Sequence, residues 1–441
     1  MITARVICWF VLTWHLLGMH LCDELCVGGV RFDGCSIPIV NMTTDGGAKV
    51  RKAFEVAKEV TIGKMIVSIS PSGPFLQRFA SFVDLVIYHI YREATFYVPD
   101  GNTIGGITIW NAPDMRAFIA GSNTYLESLD ISQCSLDRLP QTLPLMTRLQ
   151  RVSLTWCKLT VLRLDNLTAN QNLKILILSY NQIELLIPVS RQSARMLSIE
   201  TLFLAGNLLE RLDMALFVAM PLLSELYITG NRIVTLDVSA PIVLPNFSSL
   251  YLGYNKIVSL DLRNLTLPKL ETFSFGPNAL TRMPILPRLM PKFNYLSLSA
   301  NNLTQLDMSY FRPYPNLQKI YITSNQITTV RASSPVRLPL VHLVLSNNKI
   351  TTFNITGWDM LNITMVLLDG NQLSVVPPVF DRYPKVNLIM DRNPLSCDAL
   401  VPFKDRLKNE QLQKEQKYSY SKCTTTSSIQ VDETKKICCD K

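Results

Sequence analysis

The sequence predicts an α/β solenoid, a horseshoe of stacked coils with a parallel β-sheet on its concave side and a cap at each end. Three observations predict it. Apolar residues recur in one frame, L-x-x-L-x-L-x-x-N-x-L-x-x-L, as in LKILILSYNQIELL, IETLFLAGNLLERL, LSELYITGNRIVTL and FSSLYLGYNKIVSL. The frame restarts at Leu126, Leu149, Leu173, Ile199, Leu223, Phe247, Leu270, Phe293, Leu317, Leu340 and Ile363, and in degraded form at Lys385, at spacings of 22 to 26 residues. Its ninth position is Asn at 181, 207, 231, 255, 278, 301, 325, 348, 371 and 393.

Each position has a physical reason. Residues 4 and 6 of the frame, such as Leu176 and Leu178, share one face of a short strand by two-residue alternation. Positions 1, 11 and 14 add apolar groups inside the same coil. One coil cannot cover them alone, whereas a neighbour on each side can, so the chain stacks. A buried amide at position 9 bonds the backbone of adjacent turns, since an unpaired buried polar group costs about 1–3 kcal/mol. The pattern resembles the leucine-rich repeat family from roughly Ile104 to Leu407.

Residues 1–20 read as a signal peptide. Arg5 precedes an apolar run from Val6 to Leu17, which is short for a membrane span. An uncleaved anchor is the alternative, and cleavage is expected between Gly18 and Cys22. No later stretch has the length and apolarity of a span, and the polar tail carries no lipid-anchor signal. Residues 21–59 read as an N-terminal cysteine cap, with Cys26–Cys35 the simplest staple in CDELCVGGVRFDGC. Residues 60–120 contain VTIGKMIVSIS, FVDLVIYHI, ATFYV and IGGITIW, strand-like runs at repeat spacing without the Asn, read as degenerate early repeats. A separate small domain is the alternative.

Residues 121–395 carry the clear repeats. In the first two, Cys134 and Cys157 fill the Asn slot. A pair of reduced thiols is expected there, and a disulfide between coils about 5 Å apart is the alternative. Residues 396–441 read as a C-terminal cysteine cap and polar tail. NPLSCDALVPFKDRL resembles the N-P-x-x-C-x-C opening of the cap of extracellular leucine-rich-repeat proteins, with Cys397 matched and Ala399 in the second cysteine's place. A Cys397–Cys423 bridge is expected, across KDRLKNEQLQKEQK, which has the composition of an exposed helix. Cys438 and Cys439 cannot easily bond each other. They are the expected link to a second chain, unless one of them closes the cap.

Composition and motifs exclude several function classes. The net charge of +9 is spread along the chain, which favours solubility and gives no nucleic-acid site. Of four His, two lie in the signal segment, leaving His89 and His342 far apart in sequence. H-E-x-x-H, G-x-S-x-G and phosphate-cradling glycine loops are absent. Asp213, Asp237, Asp261 and Asp307 follow Leu at position 15 as a turn habit. Neither enzymatic activity nor a metal or cofactor is expected.

Binding to a protein partner is expected instead. Positions 3, 5, 7 and 8 point from the concave sheet into solvent. They place Phe203, Tyr227, Tyr251 and Tyr321 at position 5, Trp156, Tyr180 and Tyr254 at position 8, and Tyr295 at position 3. Small hydroxyl residues surround them: Ser179, Thr229, Ser274, Ser297, Ser299 and Thr323. Rigid aromatics among hydroxyls are the chemistry of recognition. The alternative is that they only pair across strands. Seven N-x-S/T triplets, at Asn41, Asn166, Asn246, Asn264, Asn302, Asn354 and Asn362, are candidate glycosylation sites of a secreted chain. None falls on the concave face, although Asn302 sits beside the ladder.

The signal segment, the repeats, Cys397, Cys423 and the Cys438–Cys439 pair together resemble the mosquito leucine-rich immune molecule family. That resemblance implies a secreted haemolymph scaffold that pairs through cysteines and holds complement-like thioester proteins. Coiled coils follow the double cysteine in the better-known members, so this chain resembles a coil-less one. The expected function is therefore a non-catalytic secreted scaffold in innate immunity, which holds or recognises complement-like proteins or pathogen surfaces through its concave face. Its expected partners are a complement-like thioester protein, or another leucine-rich-repeat chain through Cys438 and Cys439, with no nucleic acid and no membrane span after signal cleavage. An extracellular adhesion or matrix module is the alternative, and an enzyme-inhibitor solenoid is a third reading.

Overall fold

The computed structural model describes residues 34–440 apart from 45, 58, 68–71, 80–82, 123–124, 191–194, 415–426 and 434. The expected signal segment, Cys22, Cys26 and Cys423 lie outside the described residues. The chain divides into two compact units, Met1–Leu208 and Leu209–Lys441. Each is a leucine-rich-repeat stack.

In the first unit, the strands Gly34–Asn41, Glu59–Val67, Val83–Tyr88, Gly106–Ile109, Ser128–Ser132, Arg151–Thr155, Ile175–Ile177 and Thr201–Phe203 pair in sequence order, all parallel. The register aligns Val40, Met65, Val86, Ile107, Leu129, Val152, Leu176 and Leu202 in one buried column. Three of the four 60–120 stretches stand in this same sheet, and so does a strand from the 21–59 segment; the fourth, ATFYV, supplies Thr95–Val98, which pairs in parallel with Ala117–Ala120 in a separate two-stranded sheet. Helices Gly46–Val56 and Ser72–Phe79 connect the first strands, because a parallel pair needs a crossover. Where the Asn is missing, aromatics fill the early coils. Tyr88 meets Phe96 edge-to-face at 5.2 Å, and Phe96 stacks on Phe118 at 5.4 Å.

In the second unit, the strands Glu225–Tyr227, Ser249–Tyr251, Thr272–Ser274, Tyr295–Ser297, Lys319–Tyr321, His342–Val344, Met365–Leu367, Asn387–Ile389 and Leu412–Gln413 again pair in order and parallel. Leu226, Leu250, Phe273, Leu296, Ile320, Leu343, Val366 and Leu388 form its buried column. The expected long helix in KDRLKNEQLQKEQK is shorter than its composition implies. The helix is Lys404–Lys408, Glu410 turns the chain at φ 59°, and Leu412 buries itself in the sheet. A buried apolar position outweighs helix propensity there.

The ladder accounts for the Asn column. Asn181 accepts from Leu159 N at 3.3 Å and donates to the carbonyls of Leu154 and Leu178 at 2.7 and 3.0 Å. Asn348 repeats the set with Ile327 N, Ile322 O and Leu345 O. Each amide thus satisfies its own coil and the one before it.

Three cysteine expectations are corrected. Cys134 and Cys157 are not a reduced pair but a disulfide, 2.02 Å between sulfurs. In-register coils put their Cα atoms 4.5 Å apart, within the range a disulfide bridges. Cys397 bonds Cys439, not Cys423. Cys438 is also disulfide-bonded within the chain, so the pair is not available to link a second chain. The tail is not a free polar extension. Strand Lys436–Cys439 pairs antiparallel with Ser427–Gln430, and Cys397 N donates to Asp440 O at 3.0 Å. Neighbouring residues of a strand face opposite ways, which sends the two thiols to different partners. Both are buried. Cys35 is buried and disulfide-bonded as well.

Replacing both Cys134 and Cys157 by Ser should lower the stability of the first unit by about 3 kcal/mol, the chain-entropy value for a loop of this length. Urea unfolding of the two proteins measures it. Equal midpoints would show that the slot tolerates an open pair.

Candidate functional site

The second unit carries a tyrosine–hydroxyl face. Parallel register sets Tyr227, Tyr251, Ser274, Ser297 and Tyr321 side by side at position 5. Glu225, Ser249, Thr272, Tyr295, Lys319 and His342 align at position 3. Tyr227 stacks on Tyr251 at 4.5 Å with planes 8° apart, and its hydroxyl donates to Glu225 at 3.0 Å. Tyr295 and Tyr321 lie 5.3 Å apart, and the Tyr321 hydroxyl is 3.4 Å from His342 Nδ1. Burial, and then the Glu225 carboxylate, push the Tyr227 phenol well above its ordinary range. Burial and the Tyr321 phenol raise Tyr295. Both phenols therefore stay neutral donors at physiological pH. The face is uncharged in its middle, with Glu225 near one end and Lys319 and His342 near the other.

The structure divides the eight aromatics that sequence places together. Those at positions 3 and 5 are half-buried, and two pairs of them, Tyr227 with Tyr251 and Tyr295 with Tyr321, lean on one another across strands. Those at position 8 are exposed: Trp156 by 58%, Tyr180 by 49% and Tyr254 by 70%. Trp156 and Tyr180 stack in the first unit, 4.3 Å apart and 7° from parallel.

Position 8 carries a feature that the sequence frame leaves unread. The chain leaves the strand there in a left-handed turn, at φ 54° for Trp156, 57° for Tyr180 and 55° for Tyr254. Gly206, Gly230 and Gly370 take the same conformation in other coils, and so do Gln133, Ala300, Ser324, Asn347 and Arg392. For a residue with a side chain it costs about 1–2 kcal/mol. An exposed Trp and two exposed Tyr therefore occupy places where Gly is the less strained choice.

A polar clasp was also missed. Arg392 donates to Asn347 Oδ1 and to Asp369 Oδ2, both at 3.0 Å, reaching over Gly370. Its signal in the sequence is the Asn, Gly, Arg succession at position 8. On the first unit, a cleft of about 600 Å³ is lined by Arg116, Phe118, Ser135, Asp137, Arg138 and Thr142. Arg138 bonds Asp137 and holds its carboxyl below the usual range. Among the described residues no three acidic, His or Cys side chains gather to hold a metal, and no helix is long and apolar enough to cross a membrane. Of the sequons, Asn166, Asn264, Asn302, Asn354 and Asn362 are exposed. Asn41 and Asn246 are half-exposed, and the Asn246 amide donates to Pro221 O at 2.9 Å.

Comparison with known proteins agrees with the fold. Leucine-rich-repeat models match residues 291–341, 315–373 and 169–185. A stretch of 67 residues is 39% identical to human leucine-rich repeats and immunoglobulin-like domains protein 2, covering 15% of this chain. The chain spans 6% of the length of that curated relative. Among solved structures, a leucine-rich-repeat protein of Leptospira interrogans superposes with a TM-score of 0.52 at 20% identity, over 76% of this chain and 90% of its own. The leucine-rich repeat domain of APL1B gives 0.48 at 17% identity, over 69% and 91%.

Proposed function

We propose that this leucine-rich-repeat chain is a non-catalytic, secreted scaffold that binds a protein partner through the tyrosine–hydroxyl face of its second unit. The observation that carries the reading is that face: four tyrosines in two pairs, set among Ser and Thr, with no charge in its middle. Tyrosines held rigid by stacking lose little side-chain entropy on binding, and their hydroxyls supply donors. The disulfides support an oxidising, extracellular setting. Within that setting we place the chain in innate immunity, with a complement-like thioester protein as the partner and glycans on the exposed sequons. The partner is held without an intermolecular disulfide from Cys438 or Cys439.

The test is capture of partners from the fluid into which the chain is secreted, identified by mass spectrometry. Replacing Tyr227 and Tyr251 by Ala should weaken capture at least tenfold, about 1.4 kcal/mol, with secretion intact. Unchanged capture would leave those tyrosines a merely structural pair. Capture of matrix components alone would replace the immune reading with adhesion.

A further inference from the structure

The proposed protein-binding face does not use the Trp156–Tyr180 stack of the first unit. We infer that this stack is a carbohydrate-binding shelf, which takes the flat face of a neutral, β-linked pyranose in an oligosaccharide.

The geometry comes first. Trp156 and Tyr180 are nearly parallel at 4.3 Å, and Tyr180 is seated on Gly206, where an added Cβ would meet the Tyr180 ring at 2.6 Å. Tyr180 is thus backed by glycine backbone, and Trp156 by Tyr180. No other aromatic ring among the described residues stacks on the far side of Trp156, which faces the coil that bears Gln133. The indole keeps 58% of its surface exposed. Two coils hold these rings in the left-handed conformation that the frame takes at this position, with Gln133 in the coil before and Gly206 in the coil after. Tyr180 is half-exposed and Trp156 more so, which leaves the outer ring open to solvent.

The chemistry of the neighbours selects the ligand. In the three coils concerned, position 7 offers the half-buried Ser132 and Thr155, Ser179 being buried, and the exposed Gln133 and Gln182 stand at positions 8 and 10. These are hydroxyls and amides. An aromatic face attracts partially positive C–H groups, and the amides beside it pair with hydroxyls at the edge of the sugar ring. A cation would also seek the ring face. No acidic residue stands at positions 7, 8 or 10 of these coils, and the exposed Lys158 repels one. A β-linked gluco-configured unit has equatorial substituents, which leaves both of its faces flat enough to lie on a ring.

The experiment uses the full secreted chain with laminarihexaose and chitohexaose, read by saturation-transfer NMR and by calorimetric titration. Binding by at least one of them is expected, weakened tenfold or more in Trp156→Gly/Tyr180→Gly and largely retained in Trp156→Tyr. Glycine suits the turn, so the double variant should melt no lower than the parent, which separates lost binding from lost fold. No binding of either sugar at millimolar concentration would overturn the shelf, as would equal binding by the double variant. Loss of protein capture in that variant, without sugar binding by the parent, would assign the rings to a protein partner and also overturn it. The Tyr227→Ala/Tyr251→Ala protein should bind the sugars normally whether or not its own reading survives, so the two proposals fail separately.

Discussion

Gly276→Ala is expected to destabilise the Leu209–Lys441 unit by about 3 kcal/mol or more, at the upper end of what overpacking costs. A Cβ at Gly276 would fall inside contact distance of the Ser299 carbonyl oxygen, and one at Gly253 would do the same to the Gly276 carbonyl. Both obstacles are backbone, so no side chain can rotate away. Gly253 and Gly276 occupy position 7 of successive coils, and the backbones approach closely because neither carries a side chain. Gly47→Ala is the contrasting case in the first unit. It lies in helix Gly46–Val56, where an added Cβ meets only Met42 Cε at 3.8 Å, and it should be neutral or stabilising by up to about 1 kcal/mol. Urea unfolding followed by circular dichroism decides both. A loss below about 1 kcal/mol for Gly276→Ala would mean that the coils separate more easily than their spacing implies.

Much of this architecture was legible in the residues, and the illegible parts have identifiable causes. Periodicity located the strands of the long parallel sheet from Ser128–Ser132 to Asn387–Ile389, because a core position repeats its apolar character whatever its partner; the short strands of the outer sheets and of the tail lie outside the frame. The early coils were legible only as strand-like runs. Their interior is closed by Tyr88, Tyr91, Phe96 and Phe118 rather than by Asn, and an aromatic cluster has no fixed spacing. Disulfide connectivity was the least legible feature. Cys134 and Cys157 share a slot with buried amides, and only the register shows that successive slots stand at bonding distance. Cys439 was separable from Cys438 only once the tail was seen to be a strand, which turns neighbouring thiols to opposite faces. For the candidate surfaces, the frame named the exposed columns but not their backbone. Trp156, Tyr180 and Tyr254 looked equivalent to the position-5 tyrosines until their left-handed turns and their exposure set them apart.

The ladder yields the other large effect. Asn348→Leu keeps the volume of the slot but removes one acceptor and one donor group, stranding Ile327 N–H and weakening the satisfaction of Ile322 O and Leu345 O. At about 1–3 kcal/mol for each buried group left unpaired, the expected loss is about 3–5 kcal/mol. The shared acceptor makes a sharper test than the single variant. Leu345 O accepts from Asn348 at 3.0 Å and also from Asn371 at 3.0 Å, one amide from each of two adjacent coils. A carbonyl that loses one of two donors keeps the other, whereas one that loses both is orphaned. The Asn348→Leu/Asn371→Leu double variant should therefore lose more than the sum of its singles, by about 1 kcal/mol. Strict additivity in a double-mutant cycle would show that Leu345 O finds water once either amide is gone, and that the ladder acts coil by coil. The expected excess would show that each coil is held through a backbone group it shares with its neighbour, which is what nearest-neighbour coupling in a stacked repeat requires.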